Sequence, residues 1–477
     1  MGAGPARDPG RGTLPRGDPR RGALRAALAT AADADVPVVA LTVGSSPTGR
    51  AMVTAHSGAV AGTDAAWEAL FTSYGVHRAR DMEELVDTLE LFAIGRRVTR
   101  PAAGIATVHD SGAERVLVAD VAASEGVPFA PLSEPTAGRL TGLLDDGLVV
   151  GNPLDVWGRG ADTESLFTDC LRAVADDPGV DVAVLAVDLV EEYDGDESYP
   201  RAVRRVAAEA AVPLVVLSAV AAAVDQTQAG ELRRAGIPVL EGARSGLRAI
   251  EHLRDHARRP PRPADLPPAP TPATDAVPSG WLDATASLGL LAAQGLAVVP
   301  TQSAATAADA GAAAERLGYP VVVKTDEPGI AHRAAADGVR LGLTDRSAVD
   351  RAYAELAAAC GPRVVVQPQL SGTGEVALGI VHDPALGPLV LVAVGGTDIE
   401  RVARRAIALP PVGPELARRL LERIGQLDPS PGLVSAVEAI SRVALELGDR
   451  IVALDVNPLV LTEDGPVAVD ALIEPRT

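Results

Sequence analysis

The chain has 477 residues, more than one hydrophobic core normally supports, and the length therefore predicts about three domains. Apolar residues make up 47% of the chain and charged residues 22%, which is typical of globular rather than disordered proteins. The net charge of −20 argues against nucleic acid or an anionic membrane surface as a partner. Two cysteines are too few for a disulfide framework and indicate the reducing cytoplasm.

The chain uses lysine and asparagine very sparingly. Lys324 is its single lysine, and its two asparagines, Asn152 and Asn457, both stand in Asn-Pro-Leu. A genome rich in G and C depletes both residue types, so those that remain are candidates for roles that Arg or Asp cannot fill. Chance survival is the alternative.

The first hundred residues are predicted to begin with a disordered tail. Met1–Gly22 is rich in Gly, Pro and Arg and has no hydrophobic periodicity. A strand is predicted at Val36–Val43, and helices at Ala23–Ala32, Thr63–Tyr74 and Met82–Ile94.

The middle of the chain alternates apolar strands with helical segments. The strands are predicted at Gly104–Val108, near Val127, near Leu148, and at Val182–Val187, Val212–Leu217 and Ile237–Leu240. This alternation favours a parallel sheet that helices cover on both faces, in a flavodoxin-like, doubly wound α/β fold.

The last part of the chain follows a proline-rich stretch. Pro260–Pro278 holds eight prolines and is predicted to be a semi-rigid linker. Beyond it, strands outnumber crossover helices, which favours an α+β fold. The predicted boundaries are 1–22 for the tail, 23–100 for a first partial domain, 101–256 for the flavodoxin-like domain, 257–279 for the linker and 280–477 for the last domain.

Lys324 ends the run Leu317-Gly-Tyr-Pro-Val-Val-Val-Lys324, in which a helix gives way to a strand. A lysine is a point charge on a flexible stem and suits a nucleotide phosphate. A solvated lysine at the end of a strand is the alternative.

A predicted strand carries Gln367, a Ser-Gly-Thr-Gly turn then reverses the chain, and Glu375 lies on the returning strand. We expect them at the ends of adjacent strands, where their polar groups would bind an adenine and a ribose. An edge hairpin with solvated polar ends is the alternative.

Asn457 and Asp470 lie in the last two predicted strands, Ile451–Val460 and Val467–Leu472. If these strands form a hairpin, alternation brings both side chains to one face. A carboxylate and an amide oxygen, with phosphate oxygens and water, suit Mg²⁺. An Asx turn at Asn-Pro is the alternative.

These motifs, in this order over about 190 residues, resemble the ATP-grasp domain of the acyl-CoA synthetase (NDP-forming), or acetate–CoA ligase (ADP-forming), family of the succinyl-CoA synthetase superfamily. The resemblance implies that Lys324, Gln367 and Glu375 position ATP or ADP and that Asn457 and Asp470 bind Mg²⁺. The loop Gly395-Gly-Thr-Asp-Ile-Glu400 resembles that of the succinyl-type β subunit, which adds Glu400 to the nucleotide site.

Two histidine loops extend the resemblance. Thr54-Ala-His56-Ser-Gly-Ala-Val-Ala-Gly62 resembles the family's phosphohistidine loop, which implies that acyl phosphate phosphorylates His56. Ile330-Ala-His332-Arg resembles the segment whose histidine accepts the phosphoryl group and passes it to ADP, which makes His332 the second carrier. Gly151-Asn152-Pro-Leu-Asp155 resembles a turn of the middle domain, although a strand-to-helix turn capped by Asp155 is the alternative.

The resemblance implies an ADP-forming acid–CoA ligase component, with a small carboxylic acid or acyl-CoA as substrate. The family's CoA-binding domain has no counterpart here, so CoA would come from a partner subunit, in an oligomer in the cytoplasm. The family also has a glutamate where Gly17 stands, and a Lys-Asp pair where Ala403 and Arg404 stand. Such departures support the alternative of a truncated or degenerate ATP-binding homologue that regulates without catalysis. The sequence does not identify the acid.

Overall fold

The computed structural model describes residues 19–49, 52, 64–156, 162–191, 196–259, 282–328, 330, 337–383, 386–395, 405–425 and 429–476. The chain forms two compact units. Unit 1 comprises Met1–Ala26, Gly44–Ser73 and Pro263–Thr477, and unit 2 comprises Ala27–Val43 and Tyr74–Arg262. The predicted domain boundaries stay predictions, and much of the predicted tail and linker lies outside the described residues.

The first half of the chain contains nine helices within the described residues, and the first three correspond to the predicted ones, although α1 begins before Ala23. They are α1 (Pro19–Asp33), α2 (Asp64–Tyr74), α3 (Met82–Ile94), α4 (Gly112–Glu125), α5 (Glu134–Leu143), α6 (Thr163–Ala175), α7 (Ser198–Glu209), α8 (Gln226–Arg234) and α9 (Ala243–Arg258). Short polar side chains cap several of them. Asp81 accepts a hydrogen bond from the Glu84 amide at the start of α3, at 2.8 Å.

Unit 2 contains two parallel sheets. In the small one, β1 (Val39–Leu41) pairs with β2 (His77–Ala79), with Val39 opposite His77. The large one has the order β4-β3-β5-β6-β7. Its strands are β3 (Gly104–His109), β4 (Leu154–Asp155), β5 (Val180–Ala186), β6 (Leu214–Ser218) and β7 (Val239–Glu241).

Strand β5 illustrates why this sheet is doubly wound. All seven of its residues are buried. Ala183 and Leu185 belong to one apolar cluster, whereas Val182 and Val184 belong to another, because alternate side chains point to opposite faces. Helices therefore cover both faces, and the predicted α/β fold is confirmed.

Unit 1 contains two further sheets. The smaller has the order β10-β9-β11-β8 and packs against α11 (Ala307–Leu317) and α12 (Arg346–Ala359). Its strands are β8 (Gln302–Ala304), β9 (Val321–Thr325), β10 (Val339–Leu343) and β11 (Val364–Pro368), and all its pairings are antiparallel.

The larger sheet of unit 1 has the order β14-β13-β12-β15-β16, and β17 also pairs with β15. Its strands are β12 (Glu375–Asp383), β13 (Gly387–Val394), β14 (Arg405–Ala408), β15 (Ile451–Thr462), β16 (Gly465–Ala468) and β17 (Leu472–Pro475). One face packs against α10 (Ala284–Ala293), α13 (Pro414–Ile424) and α14 (Pro431–Leu447). The other, which we call the open face, carries the polar residues discussed below.

Two local expectations need correction. Strands β11 and β12 belong to different sheets, so Gln367 and Glu375 are not in one hairpin. The turn between them is instead a connection from the smaller sheet to the larger one. Asp155 does not cap the following helix, because the N-cap of α6 is Asp162, which accepts from the Ser165 amide at 3.0 Å.

None of the helices within the described residues has the length and apolar character needed to cross a bilayer.

Candidate functional site

Lys324 lies on the face of the smaller sheet that is turned away from its helices. Val321 and Val323 of the same strand enter the apolar cluster with α11 and α12, and alternation directs Lys324 to the opposite side. Its side chain is only 8% exposed. Its Nζ donates a hydrogen bond to the carbonyl oxygen of Val469, 2.9 Å away, in the larger sheet's C-terminal segment.

Gln367 shares that face with Lys324. Lys324 stands opposite Val365 and Val322 opposite Gln367, and antiparallel partners point to the same side of a sheet. Gln367 is 2% exposed, and its Nε2 donates to Thr301 Oγ1 at 3.0 Å. In this geometry the buried amide is oriented by the segment that precedes β8.

Glu375 is exposed at the first position of β12 and lies on the open face of the larger sheet, opposite Val460. It lines a cavity of about 470 Å³ together with Thr373, Gly395, Ser430 and Thr462. A second cavity of about 680 Å³ shares Thr373 and Thr462 and extends to Val299, Pro300 and Leu370. The connection between the two sheets thus forms a wall of both cavities.

Asn457 and Asp470 stand opposite each other across neighbouring strands. Leu459 pairs with Ala468 and Asp455 with Leu472, and counting along both strands puts Asn457 at the level of Asp470. The hairpin spacing predicts this juxtaposition. The carbonyl on which Lys324 rests belongs to Val469, the residue immediately before Asp470. The two sheets therefore bring the lysine to the same place as the Asn-Asp pair.

A cation at this place would bind oxygen atoms. No cluster of three or more His, Cys, Asp or Glu side chains within the described residues is arranged to hold a metal. Asp470 and Asn457 nevertheless supply a carboxylate and an amide oxygen, which are hard donors and suit Mg²⁺ when phosphate oxygens and water complete the shell.

Sequence reasoning missed Asp455. Leu454 and Val456 are buried against the helices, so Asp455 between them points to the open face, where it is exposed. The sequence does contain a signal for this residue, because Asp455 is the one carboxylate among alternating apolar residues and stands two positions before Asn457. It adds a second carboxylate to this part of the open face.

Three predicted site residues, His56, His332 and Glu400, lie outside the described residues. The loop that carries Glu400 begins at Gly395, whose amide donates to the carbonyl of Glu375 at 2.9 Å. A Cβ at Gly395 would approach the Val376 backbone nitrogen to 2.8 Å, so a side chain does not fit there. The loop therefore leaves the sheet beside Glu375.

Asn152 has a structural role in unit 2. Its Nδ2 donates to the carbonyls of Ile105 and Ala130, at 2.8 and 2.9 Å, and its Oδ1 accepts from the Thr107 amide at 3.2 Å. The side chain thus braces β3 against the segment after α4, which an aspartate could not do because it lacks the donor.

Comparison with protein families finds two matches along the chain. Residues 275–474 match the family model of an ATP-grasp domain, and residues 17–92 match that of a succinyl-CoA ligase like flavodoxin domain. The first match contains Lys324, Gln367, Glu375, Asn457 and Asp470.

Curated relatives match most of the chain. A trans-feruloyl-CoA synthase from an unknown prokaryotic organism is 29% identical over 475 residues, covering 94% of this chain and 66% of the relative. Acetate–CoA ligase [ADP-forming] I of Archaeoglobus fulgidus is 26% identical, covering 91% of this chain and 65% of the relative. The chain thus spans about two thirds of these relatives' length.

Among solved structures, dinucleotide forming acetyl-coenzyme A synthetase 1 of Ca. Korarchaeum cryptofilum in complex with phosphate and ADP aligns with 51% of this chain and 53% of its own, at 18% identity and a TM-score of 0.41. Over most of its length the chain is thus similar to a feruloyl-CoA synthase and an ADP-forming acetate–CoA ligase, and it contains regions that match an ATP-grasp domain and a succinyl-CoA ligase like flavodoxin domain.

Proposed function

We propose that this chain is the nucleotide-binding and phosphohistidine-bearing component of an ADP-forming acid–CoA ligase. The reaction interconverts acyl-CoA, phosphate and ADP with a carboxylic acid, CoA and ATP. The main support is the convergence of Lys324 with Asn457 and Asp470, which come from two sheets of the region that matches an ATP-grasp domain.

Each described site residue has a part in binding the nucleotide. Lys324 would leave the Val469 carbonyl to bind phosphate oxygens through charge-assisted hydrogen bonds. Gln367 and Glu375 would bind the adenine and ribose, and Glu400, outside the described residues, would also belong to the nucleotide site. Asn457 and Asp470 would hold Mg²⁺, which when bound neutralises charge on the phosphoryl group.

Two histidines would carry the phosphoryl group. A ring nitrogen of His56 attacks the phosphorus of acyl phosphate, so a P–N bond forms while the P–O bond to the acyl group breaks and the carboxylate leaves. His332 then accepts the phosphoryl group and passes it to a terminal oxygen of ADP. The acid is a small carboxylic acid.

CoA would be bound by a separate subunit. Acetate–CoA ligase [ADP-forming] II of Pyrococcus furiosus has two subunits, and this chain matches 87% of its β subunit but 34% of its α subunit, at 27% and 29% identity. We therefore propose a partner with the remaining α-type function, in an oligomer in the cytoplasm.

The test is phosphohistidine formation. The full chain is incubated with Mg²⁺ and ATP labelled at the γ-phosphate, with and without a supplied CoA-binding subunit. We expect label on the chain that is lost in acid and kept in alkali. His56→Asn should remove the label that peptide mapping places on His56 and leave only what His332 carries, whereas His382→Asn, a matched change in β12, should leave both.

A chain that binds ATP but never becomes labelled would contradict the proposal. It would instead support the non-catalytic homologue, in which ATP binding serves regulation.

A further inference from the structure

Three of the chain's seven histidines lie together in unit 2. His77 begins β2, and His252 and His256 are one turn apart on α9. Nε2 of His77 lies 3.0 Å from Nδ1 of His256, and the His77 ring centroid lies 5.2 Å from that of each of the other two. His77 and His252 are each 7% exposed.

The protons of this cluster are assigned by Asp35. Its carboxylate accepts, so the 3.0 Å contact with Nε2 of His256 requires a proton on that nitrogen. Nδ1 of a neutral His256 is then an acceptor, and His77 Nε2–H donates to it. The result is a chain of hydrogen bonds from His77 through His256 to Asp35.

These hydrogen bonds connect the two ends of one segment of the protein. Asp35 lies between α1 and β1, at a positive φ of 52°, and His77 opens β2. The His77 amide also donates to the Val38 carbonyl at 2.8 Å, which starts the β1–β2 pairing. The segment between β1 and β2 contains His56. We call β1, with Asp35 before it, and β2 the two stems of this segment. Both stems are thus attached to α9.

We propose that Asp35, His77 and His256 are positioning residues, which hold both stems of the His56 segment on α9 as long as the histidines are neutral. The role in phosphoryl transfer rests on the proposed function of His56. The attachment of the stems does not depend on that function, and it can be measured separately.

Acid should release the stems. Burial, reinforced by His252, His256, Arg259 and Arg97, lowers the pKa of His77 to about 3. Burial also lowers the pKa of His256, although Asp35 raises it. A proton on His256 Nδ1 would face the His77 proton and break their hydrogen bond.

The remaining charged groups around the cluster do not oppose this release. Glu84 on α3 accepts from His252 Nε2 at 2.8 Å and from Arg248 Nε at 3.4 Å, so its carboxylate is already engaged. Arg259 donates to the carbonyls of Gly75 and Ala32 and adds positive charge near both stems. An open stem exposes histidines of ordinary pKa, about 6.5, so opening becomes easier as pH falls below that value.

Hydrogen exchange of the β1 and β2 amides in the full chain tests the proposal between pH 7.5 and 5. After correction for intrinsic exchange, protection should fall about tenfold per pH unit below about 6.5 for each proton taken up. His77→Gln keeps a donor near the Nε2 position but does not titrate, so its protection should fall less steeply. His382→Gln, outside the cluster, should behave as the native chain does.

A second variant changes an exposed residue and therefore avoids the risk that a substitution at the buried His77 prevents folding. The Asp35 side chain is 85% exposed, so Asp35→Ala should fold. It should lower protection of β1 and β2 several-fold even at pH 7.5, because His256 loses its acceptor. Protection that is independent of pH in the native chain, or unchanged in Asp35→Ala, would overturn the proposal.

Phosphohistidine labelling separates the two proposals. Yield in the native chain should fall between pH 7 and 5.5 more than in His77→Gln. Equal loss in both would show that the stems do not position His56. If the native chain is never labelled, the proposed function fails, while the exchange data still decide whether the histidines hold the stems.

Discussion

Lys324 and Val469 join the two sheets of unit 1, through a hydrogen bond of 2.9 Å from the ammonium to the main-chain carbonyl. The two residues are 145 positions apart, and the lysine is almost fully buried. A carbonyl is a neutral acceptor, whereas a phosphate is anionic and binds an ammonium more strongly. The contact therefore holds the lysine beside Asp470 and can be exchanged for a nucleotide phosphate.

Replacing this lysine should weaken nucleotide binding. Lys324→Met removes a charge-assisted interaction of about 1.5–3 kcal/mol, so we expect the affinity for ADP with Mg²⁺ to fall at least about tenfold by calorimetry. Lys324→Arg should also lose affinity, because a planar guanidinium does not replace a buried ammonium. Arg363→Met removes an exposed cation beside the same sheet and is the matched control. Unchanged affinity in Lys324→Met would contradict the assignment.

The single lysine also permits a chemical test without mutation. An amine-directed acylating reagent has Lys324 and the N-terminal amine as its targets. Mass spectrometry should show slow acylation of Lys324, because it is buried, and still slower acylation when ATP and Mg²⁺ are present. Acceleration by ATP would mean that the nucleotide binds elsewhere and opens the cleft.

The Asn457–Asp470 pair should determine the effect of Mg²⁺ on nucleotide affinity. Asp470→Asn or Asn457→Ala should reduce the gain in ADP affinity that Mg²⁺ produces, by about tenfold, and should leave metal-free binding almost unchanged. Asp464→Asn changes an exposed carboxylate at the turn of the same hairpin and should have no effect. Equal loss with and without Mg²⁺ would indicate that these residues shape the pocket rather than bind the cation.

The local sequence pattern was sufficient to predict the relative positions of some site residues but not of others. Asn457 and Asp470 could be paired from sequence, because alternation along neighbouring strands determines the face. Gln367 and Glu375 were misplaced in one hairpin, because a short Gly-rich turn looks the same whether it joins paired strands or two sheets.

Contacts between distant segments could not be predicted at all. Lys324 meets Val469, and His77 meets His256, only because separate elements pack together. Likewise, the hydrophobic pattern of strand β5 does not explain the buried Asp181, which the structure pairs with Arg254 of α9. Pairing of this kind depends on tertiary structure, about which the hydrophobic period of a single strand or helix carries no information.

The buried Asp181–Arg254 pair should be important for the stability of unit 2. Both side chains are fully buried, with Arg254 Nε 2.7 Å from Asp181 Oδ1. Arg254→Met leaves the carboxylate with Arg258 at 3.2 Å and should lower the free energy of unfolding by about 3 kcal/mol in urea. Arg201→Met removes an exposed ion pair with Glu164 and should cost less than about 1 kcal/mol. Equal effects of the two changes would contradict this interpretation.

The contribution of Asp87 of α3 to the stability of unit 2 should be smaller at neutral pH than in mild acid. Burial raises the pKa of its carboxyl to about 6, and the nearby carboxylates of Glu90 and Glu241 add to this. Between the unfolded value of about 3.8 and the folded value, the folded state binds the extra proton, so this contribution to stability declines as pH rises through that window. Asp87→Asn removes the charge and keeps an acceptor for the Glu241 amide, which lies 3.3 Å from Oδ1. We expect the variant to raise the free energy of unfolding by about 2 kcal/mol at pH 7.5 and by almost nothing at pH 4. Urea unfolding at both pH values measures the difference, and a gain of equal size at both would mean that packing rather than charge is responsible.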